Sequence, residues 1–119
     1  MLELISTNSE QTIGFAIAGK IESDDIDLVT NAIEEKLKTH DKLRIYAEID
    51  KMQGISVKAF IKDLNFALKH FRDFDKEAIV ADGKWWQKFA ALGNKLAPAT
   101  EVKYFSFADK ERALQWIDS

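Results

Sequence analysis

The sequence of 119 residues contains no cysteine, one proline, two histidines and no long uninterrupted apolar run. Without cysteine there are no disulfides, thiolate metal sites or thiol catalysis, and this absence is typical of a reducing cytoplasm. A membrane-spanning helix needs about 18 or more consecutive apolar residues, and no segment approaches that length. The start, MLELISTNSE, lacks a basic region followed by an apolar one, so we expect no signal peptide. These absences predict a cytoplasmic protein.

Sequence motifs of metal, nucleotide and catalytic sites are also missing. The two histidines, His40 and His70, lie in different segments, and no HExxH-like spacing accompanies them. Neither glycine-rich phosphate loop, GxGxxG or GxxxxGK[ST], occurs, and no serine stands in a GxSxG elbow. The sequence therefore predicts no metal site, no cofactor and no enzymatic activity.

The net charge of −3 is distributed unevenly along the chain. Residues 1–50 contain eleven acidic and five basic side chains, whereas residues 51–105 contain ten basic and six acidic ones. An acidic protein is a poor ligand for nucleic acid, because phosphate contacts require a dominant positive field. A local basic region that also carries aromatic residues favours an anionic membrane surface or an acidic partner.

Segments of β and α periodicity alternate along the whole chain. The period of two predicts strands near residues 2–6, 12–18, 43–49, 75–82 and 102–107. The helical period predicts helices that begin near Ser23, Ser56, Gly83 and Asp109. This order, β-β-α-β-α-β-α-β-α, predicts a single α/β domain over residues 1–119. We expect a mostly parallel five-stranded sheet with an antiparallel N-terminal edge.

Local residue choices refine three of these predictions. In the second strand large residues alternate with small ones (Ile13, Phe15 and Ile17 against Gly14, Ala16 and Ala18), which favours two faces with different neighbours. Gly19 is expected to end this strand, and Ser23 to cap the first helix. In the second helix, Phe66 falls outside the apolar stripe, so we expect it to be exposed or packed against a second body.

The segment Gly83–Ala97, GKWWQKFAALGNKLA, predicts an amphipathic helix with two adjacent tryptophans. At about 100° per residue it has an apolar sector and a roughly opposite basic sector. The apolar sector holds Trp85, Phe89, Leu92 and Leu96, and the basic sector holds Lys84, Lys88 and Lys95. Trp86 lies between them and widens the apolar arc. That edge favours a nonpolar ligand, another chain or a membrane surface for Trp86, whereas Trp85 and Phe89 are also interpretable simply as core.

Several strings resemble the SpoIIAA-like family, relatives of the STAS domains of anti-sigma-factor antagonists with a fold likened to CRAL-TRIO domains. The segment Gly54–Phe71, GISVKAFIKDLNFALKHF, is similar to the family's Gly-x-[ST]-x-x-A-x-x-x-D-L helix. AIVADGKWW, residues 78–86, resembles its next strand and helix start. VKYF, residues 102–105, and ERALQWI, residues 111–117, resemble its closing strand and helix. The resemblance covers nearly the whole chain, and its motifs are structural rather than catalytic.

In the phosphorylated antagonists, an Asp-Ser-[ST]-Gly motif carries the serine that a partner kinase modifies. The corresponding region here reads DKMQGIS, residues 50–56, so the preceding acid and following glycine are missing. Ser56 stands roughly where that phosphoacceptor would be. It is interpretable either as a helix N-cap or as a phosphoacceptor.

The resemblance implies a small protein that binds nonpolar molecules and touches membranes. We therefore expect a non-enzymatic module that holds a nonpolar small molecule or lipid between its second and third predicted helices. The expected lining is Phe60, Leu64, Trp85, Trp86 and Phe89. Lys84, Lys88 and Lys95 are expected at an anionic membrane surface, peripheral to the inner face. The alternative is a STAS-like protein-interaction module with a protein partner or homodimer, in which Ser56 acts as a switch.

Overall fold

The computed structural model describes residues 1–55, 57–70, 72–82 and 100–119. Its strands are β1 (Leu2–Ile5), β2 (Thr12–Ile21), β3 (Leu43–Ile55), β4 (Phe74–Ala81) and β5 (Glu101–Phe105). Its helices are α1 (Ser23–Leu37), α2 (Val57–His70) and α3 (Lys110–Ile117), the last preceded by a 3-10 turn at Phe107–Asp109. The predicted tryptophan helix lies outside the described residues.

The five strands form one sheet in sequence order, β1-β2-β3-β4-β5. β1 and β2 are antiparallel, whereas the β2–β3, β3–β4 and β4–β5 pairs are all parallel. The predicted α/β class, the mostly parallel sheet and the antiparallel N-terminal edge are thereby confirmed.

Strand periodicity places apolar residues on both faces of the sheet. On one face α1 and α2 pack against Ile13, Leu43, Ile45 and Ala47. On the other face α3 contributes Ala113 and Ile117 to a cluster with Tyr46, Ala78 and Val80. Tyr46 and its β3 neighbours Ile45 and Ala47 therefore point to opposite sides, as a period of two requires. None of the described helices is long and apolar enough to cross a membrane.

Gly19 does not end β2, contrary to the sequence prediction. The strand continues to Ile21, and the register against β3 shifts on both sides of Gly19, which adopts φ +67°. A β-bulge with a left-handed glycine lets the strand bend without terminating. The two added residues carry Ile21 into a buried cluster with Ile26 and Ala59.

The cap of α1 also differs from the prediction. Ser23 is the first residue of the helix, and Glu22 occupies the cap position in extended backbone. The Asp25 carboxylate accepts a hydrogen bond from the Glu22 backbone N–H at 2.8 Å. An acidic residue three positions after the cap satisfies an otherwise unpaired backbone donor, so Glu22 holds the cap position expected of Ser23 and Asp25 supports it.

Candidate functional site

The predicted ligand cleft falls mainly on residues that the structure does not describe. Trp85, Trp86, Phe89 and the predicted membrane lysines Lys84, Lys88 and Lys95 lie outside the described residues, as does Ser56. Phe60 and Leu64 belong to α2, but their side chains also lie outside the described part of the chain. These site assignments therefore remain predictions.

The basic side of α2 carries Lys58, Lys62 and Lys69 in the sequence, and two of these lysines contact α1. The Lys62 ammonium donates to both carboxylate oxygens of Asp27 at 3.0 Å, and Lys69 Nζ lies 3.8 Å from Glu34 Oε1. Asp27 and Glu34 are seven residues apart on α1, and their partners Lys62 and Lys69 are seven residues apart on α2. The two helices therefore run parallel and are joined by two ion pairs. Exposed pairs of this kind contribute about 0.2–1 kcal/mol each. This part of the basic side is therefore a helix–helix contact.

Phe66 packs against the buried cluster around Ile13 and Ile45, so it belongs to the core rather than to a second body. Its ring centroid lies 4.5 Å from that of His70. His70 Nδ1 is 2.7 Å from Asp73 Oδ2, and Nε2 is 3.6 Å from Glu34 Oε1. The histidine thus joins the C-terminal end of α2 to α1 and to the turn before β4.

Two carboxyl groups, Glu77 on β4 and Asp63 on α2, interact electrostatically where α2 faces the sheet. Glu77 on β4 is the register partner of Ile45, which places it on the α1–α2 face. Burial, followed by the charge of Asp63 on α2, raises the pKa of Glu77 from 4.5 to about 7. Partial burial also raises the pKa of Asp63, although this residue is exposed to solvent overall. Burial and the charge of Glu77 raise the pKa of the nearby Tyr104 phenol. Strongly shifted groups in apolar surroundings mark candidate binding sites.

A second candidate lies on the opposite face of the sheet, where the small residues of β2 point. We call it the open sheet face, and it is lined by Met1, Glu3, Ala16, Ile17, Ala18, Glu48, Asp50 and Phe107. Ala16 is paired in register with Glu3 and Glu48, and Ala18 with Asp50, so these side chains share one side. Among the described elements, α3 covers only the β3–β5 part of this side.

The β1–β2 loop closes the other end of the same side. A Cβ added at Gly14 would lie 2.7 Å from Thr7 Cγ2 and 2.9 Å from Ile5 Cγ1. A larger residue at position 14 would force Thr7 and Ile5 to shift, so glycine lets the end of β1 and the following loop pack directly on the strand. Between this covered end and α3, Ala16 and Ala18 form the floor of a hollow of about 230 Å³.

The rim of the hollow is acidic. Glu48 Oε2 accepts a hydrogen bond from the Tyr46 hydroxyl at 2.8 Å and lies 3.5 Å from Lys110 Nζ. Burial, followed by this hydrogen bond, raises the pKa of the Tyr46 phenol, so Tyr46 remains a donor. Glu3 and Asp50 are exposed, and within the described residues neither forms an ion pair.

A hollow of about 320 Å³ lies under the β1–β2 loop, against α1. Lys36 Nζ donates across it to the Glu10 carbonyl at 2.7 Å, and Thr7 Oγ1 donates to the Thr12 carbonyl at 2.9 Å. The Lys36 ammonium and the Thr7 hydroxyl therefore hold the β1–β2 loop in place, and we assign the hollow a structural role.

Sequence reasoning missed the open sheet face, although its signal was present. The alternation of Ala16 and Ala18 with Phe15 and Ile17 correctly predicted two different environments. It did not predict that the described residues would leave one environment partly uncovered, because this depends on how far the short α3 reaches across the sheet.

Comparison with known proteins identifies the fold. The family model described as SpoIIAA-like matches residues 12–118. A crystal structure of an uncharacterised protein with a SpoIIAA-like fold from Shewanella loihica PV-4 is similar at a TM-score of 0.76 and 26% identity. The match covers 98% of this chain and 92% of that one. No curated protein matches the sequence. These similarities support a regulatory or interaction module, of a kind that is generally non-enzymatic and typically contacts proteins.

Proposed function

We propose that this chain, which belongs to the SpoIIAA-like family, is a non-enzymatic protein-interaction module that binds its partner through the open sheet face. The observation that carries the proposal is the side of the β2–β3 pair that the described residues leave partly uncovered. These strands are parallel, and parallel sheets are nearly always covered on both faces. The described part of the chain covers this one only in part, which leaves Ala16 and Ala18 for another body.

The chemistry of the hollow supports a protein partner. An alanine floor beside Phe107 offers apolar area, and the surrounding carboxylates offer a polar rim, which is the arrangement of a protein–protein contact. The volume of about 230 Å³ is smaller than the roughly 300–1,000 Å³ of pockets for small-molecule ligands. A hollow of that size accommodates one anchoring side chain from a larger surface.

Selection of displayed random peptides on the immobilised protein tests this proposal. We expect enriched peptides that lose binding to Ala16→Leu, which fills the hollow, and to Ala18→Leu, which changes an exposed position. The matched control is Ala32→Leu on α1, across the sheet, which should retain binding. Circular dichroism checks that each variant is folded. Failure to enrich any peptide, or enrichment that is insensitive to both hollow variants, would refute the proposal.

A nonpolar ligand beside α2 is a second candidate function, favoured by the carboxyl groups of Asp63 and Glu77. The surroundings that raise the pKa of Glu77 are weakly polar, and a lipid site requires such surroundings. A neutral carboxyl group there is able to donate a hydrogen bond to an ester or carboxylate headgroup. The predicted lining from Phe60, Leu64, Trp85, Trp86 and Phe89 belongs to this proposal.

Organic extraction of the purified protein, followed by mass spectrometry, tests the second candidate directly. Tryptophan fluorescence during titration with fatty acids of graded length provides an independent measurement, and we expect a saturable, length-dependent change in emission. Trp116 on α3 contributes to the same signal, so Trp116→Phe serves as the control that isolates the predicted cleft. Unchanged emission together with no extracted lipid would rule this candidate out.

A further inference from the structure

The size and depth of the open sheet face limit what occupies it. Its floor consists of alanine methyl groups, with Phe107 at one side and the carboxylates of Glu3, Glu48 and Asp50 around it. A side chain that enters must therefore be apolar along its stem and polar at its tip. Lysine and arginine have this construction, since their methylene stems pack on apolar surface while the charged head stays at the rim.

The sign of the charge at the rim selects a cation. Lys110 lies 3.5 Å from Glu48, which leaves that carboxylate partly neutralised. The ammonium group of Met1 donates to the carbonyls of Ala18 and Lys20 at 2.6 and 2.9 Å, so its hydrogens are directed at the β2 backbone. Glu3 and Asp50 remain exposed and have no ion-pair partner among the described residues. Two carboxylates are therefore available to an incoming cation.

We infer that the partner is a protein segment that inserts an arginine side chain into this hollow. The inference rests on the proposed function and names the chemistry of its partner. Arginine is favoured over lysine because its planar guanidinium group is more weakly hydrated and bridges carboxylates with paired hydrogen bonds. Its stem lies along Ala16 and Ala18, and its head reaches Glu3 and Asp50.

Two small isosteres separate the charge from the shape of this side chain. n-Butylguanidinium carries the stem and head of arginine, and n-butylurea has nearly the same shape without the charge. Each is titrated into ¹⁵N-labelled full-length protein, and the amide shifts of Ala16, Ala18, Glu48 and Asp50 are followed. We expect saturable shifts with n-butylguanidinium and about fivefold weaker binding of n-butylurea, a factor consistent with two exposed charge pairs.

Matched variants locate the charge. Glu3→Gln with Asp50→Asn is expected to weaken n-butylguanidinium binding about fivefold, consistent with two exposed pairs. Glu10→Gln with Asp41→Asn removes the same number of charges at exposed positions outside the hollow and should leave binding unchanged. Equal binding of the two isosteres, equal binding by both double variants, or no saturable shift at these amides would each overturn the inference.

The peptide selection distinguishes failure of the arginine inference from failure of the proposed interaction surface. Peptides that depend on Ala16 and carry an arginine between apolar residues support both statements. Peptides that depend on Ala16 but are not enriched in arginine overturn the inference and leave the interaction surface standing. Peptides whose binding is unchanged by Ala16→Leu and by Ala18→Leu overturn both statements.

Discussion

Glu77 is a carboxylic acid on β4 that faces the helices, and its ionisation opposes folding. Its pKa rises from 4.5 to about 7 because of burial and the charge of Asp63. Over that interval the folded protein binds more protons than the unfolded chain, so the free energy of unfolding falls as the pH rises. The full effect is present above the folded pKa and absent below the unfolded one. Its upper limit is about 3 kcal/mol.

The variant Glu77→Gln tests this linkage, since glutamine keeps the shape and cannot ionise. We expect the variant to raise the free energy of unfolding by about 1–3 kcal/mol at about pH 8 and to change it little at about pH 4. Urea denaturation at the two pH values provides the measurement. Glu101→Gln, at an exposed position of β5, is the control and should show neither effect. Parallel pH profiles for Glu77→Gln and the native protein would contradict the linkage.

At the scale of an element, the bulge in β2 determines where the strand leads. Gly19 has φ +67°, and a Cβ added there would meet nothing within 4 Å. The requirement for glycine at this position is therefore conformational rather than steric. Beyond the bulge, Ile21 is buried to 3% exposure and packs with Ile26 of α1 and Ala59 of α2. The bulge thus directs the end of β2 into the contact between the two helices.

Gly19→Ala should lower the free energy of unfolding by about 1–2 kcal/mol, because a left-handed conformation is unfavourable for a residue with a Cβ. Gly19→Asn should cost less, since asparagine tolerates this conformation better than alanine. Urea denaturation of both variants provides the comparison, and hydrogen exchange at Ile21 shows whether the distal part of β2 has loosened. An equal loss for alanine and asparagine would indicate a different cause.

The elements themselves were largely predictable from the sequence, because periods of two and 3.6 survive in almost every segment. The errors occurred where one residue type has two roles. Glycine is common both at the ends of strands and at bulges within them, so the prediction that Gly19 ends β2 was wrong. Both Ser23 and Asp25 suit a helix start, and only backbone geometry decides that Glu22 precedes the helix. Phe66 was misplaced because a helix that touches both the sheet and α1 buries more than one stripe.

The candidate sites were harder to predict than the elements. Asp63 and Glu77 are separated in sequence, and their interaction depends on α2 crossing the sheet near β4. Glu3, Glu48 and Asp50 come from two strands that are joined only through β2. No local pattern reveals such convergence, whereas the register of the sheet determines it directly.

At the scale of the whole molecule, opposite charges belong to different parts of the sequence. The open sheet face draws its carboxylates from residues 1–50, which are rich in acids, whereas Lys84, Lys88 and Lys95 belong to the basic residues 51–105. If these lysines contact an anionic membrane, the two functions use separate residues.

Co-sedimentation with vesicles tests this separation. Each lysine near an anionic surface contributes roughly 1 kcal/mol, so three lysines give reversible binding that salt readily screens. We expect binding to anionic vesicles but not to neutral ones, and loss of binding in Lys84→Glu with Lys88→Glu. The same double variant should bind n-butylguanidinium normally, because its changes leave Glu3 and Asp50 intact. Vesicle binding that survives both substitutions, or that is equal on neutral lipid, would exclude these lysines as the membrane contact.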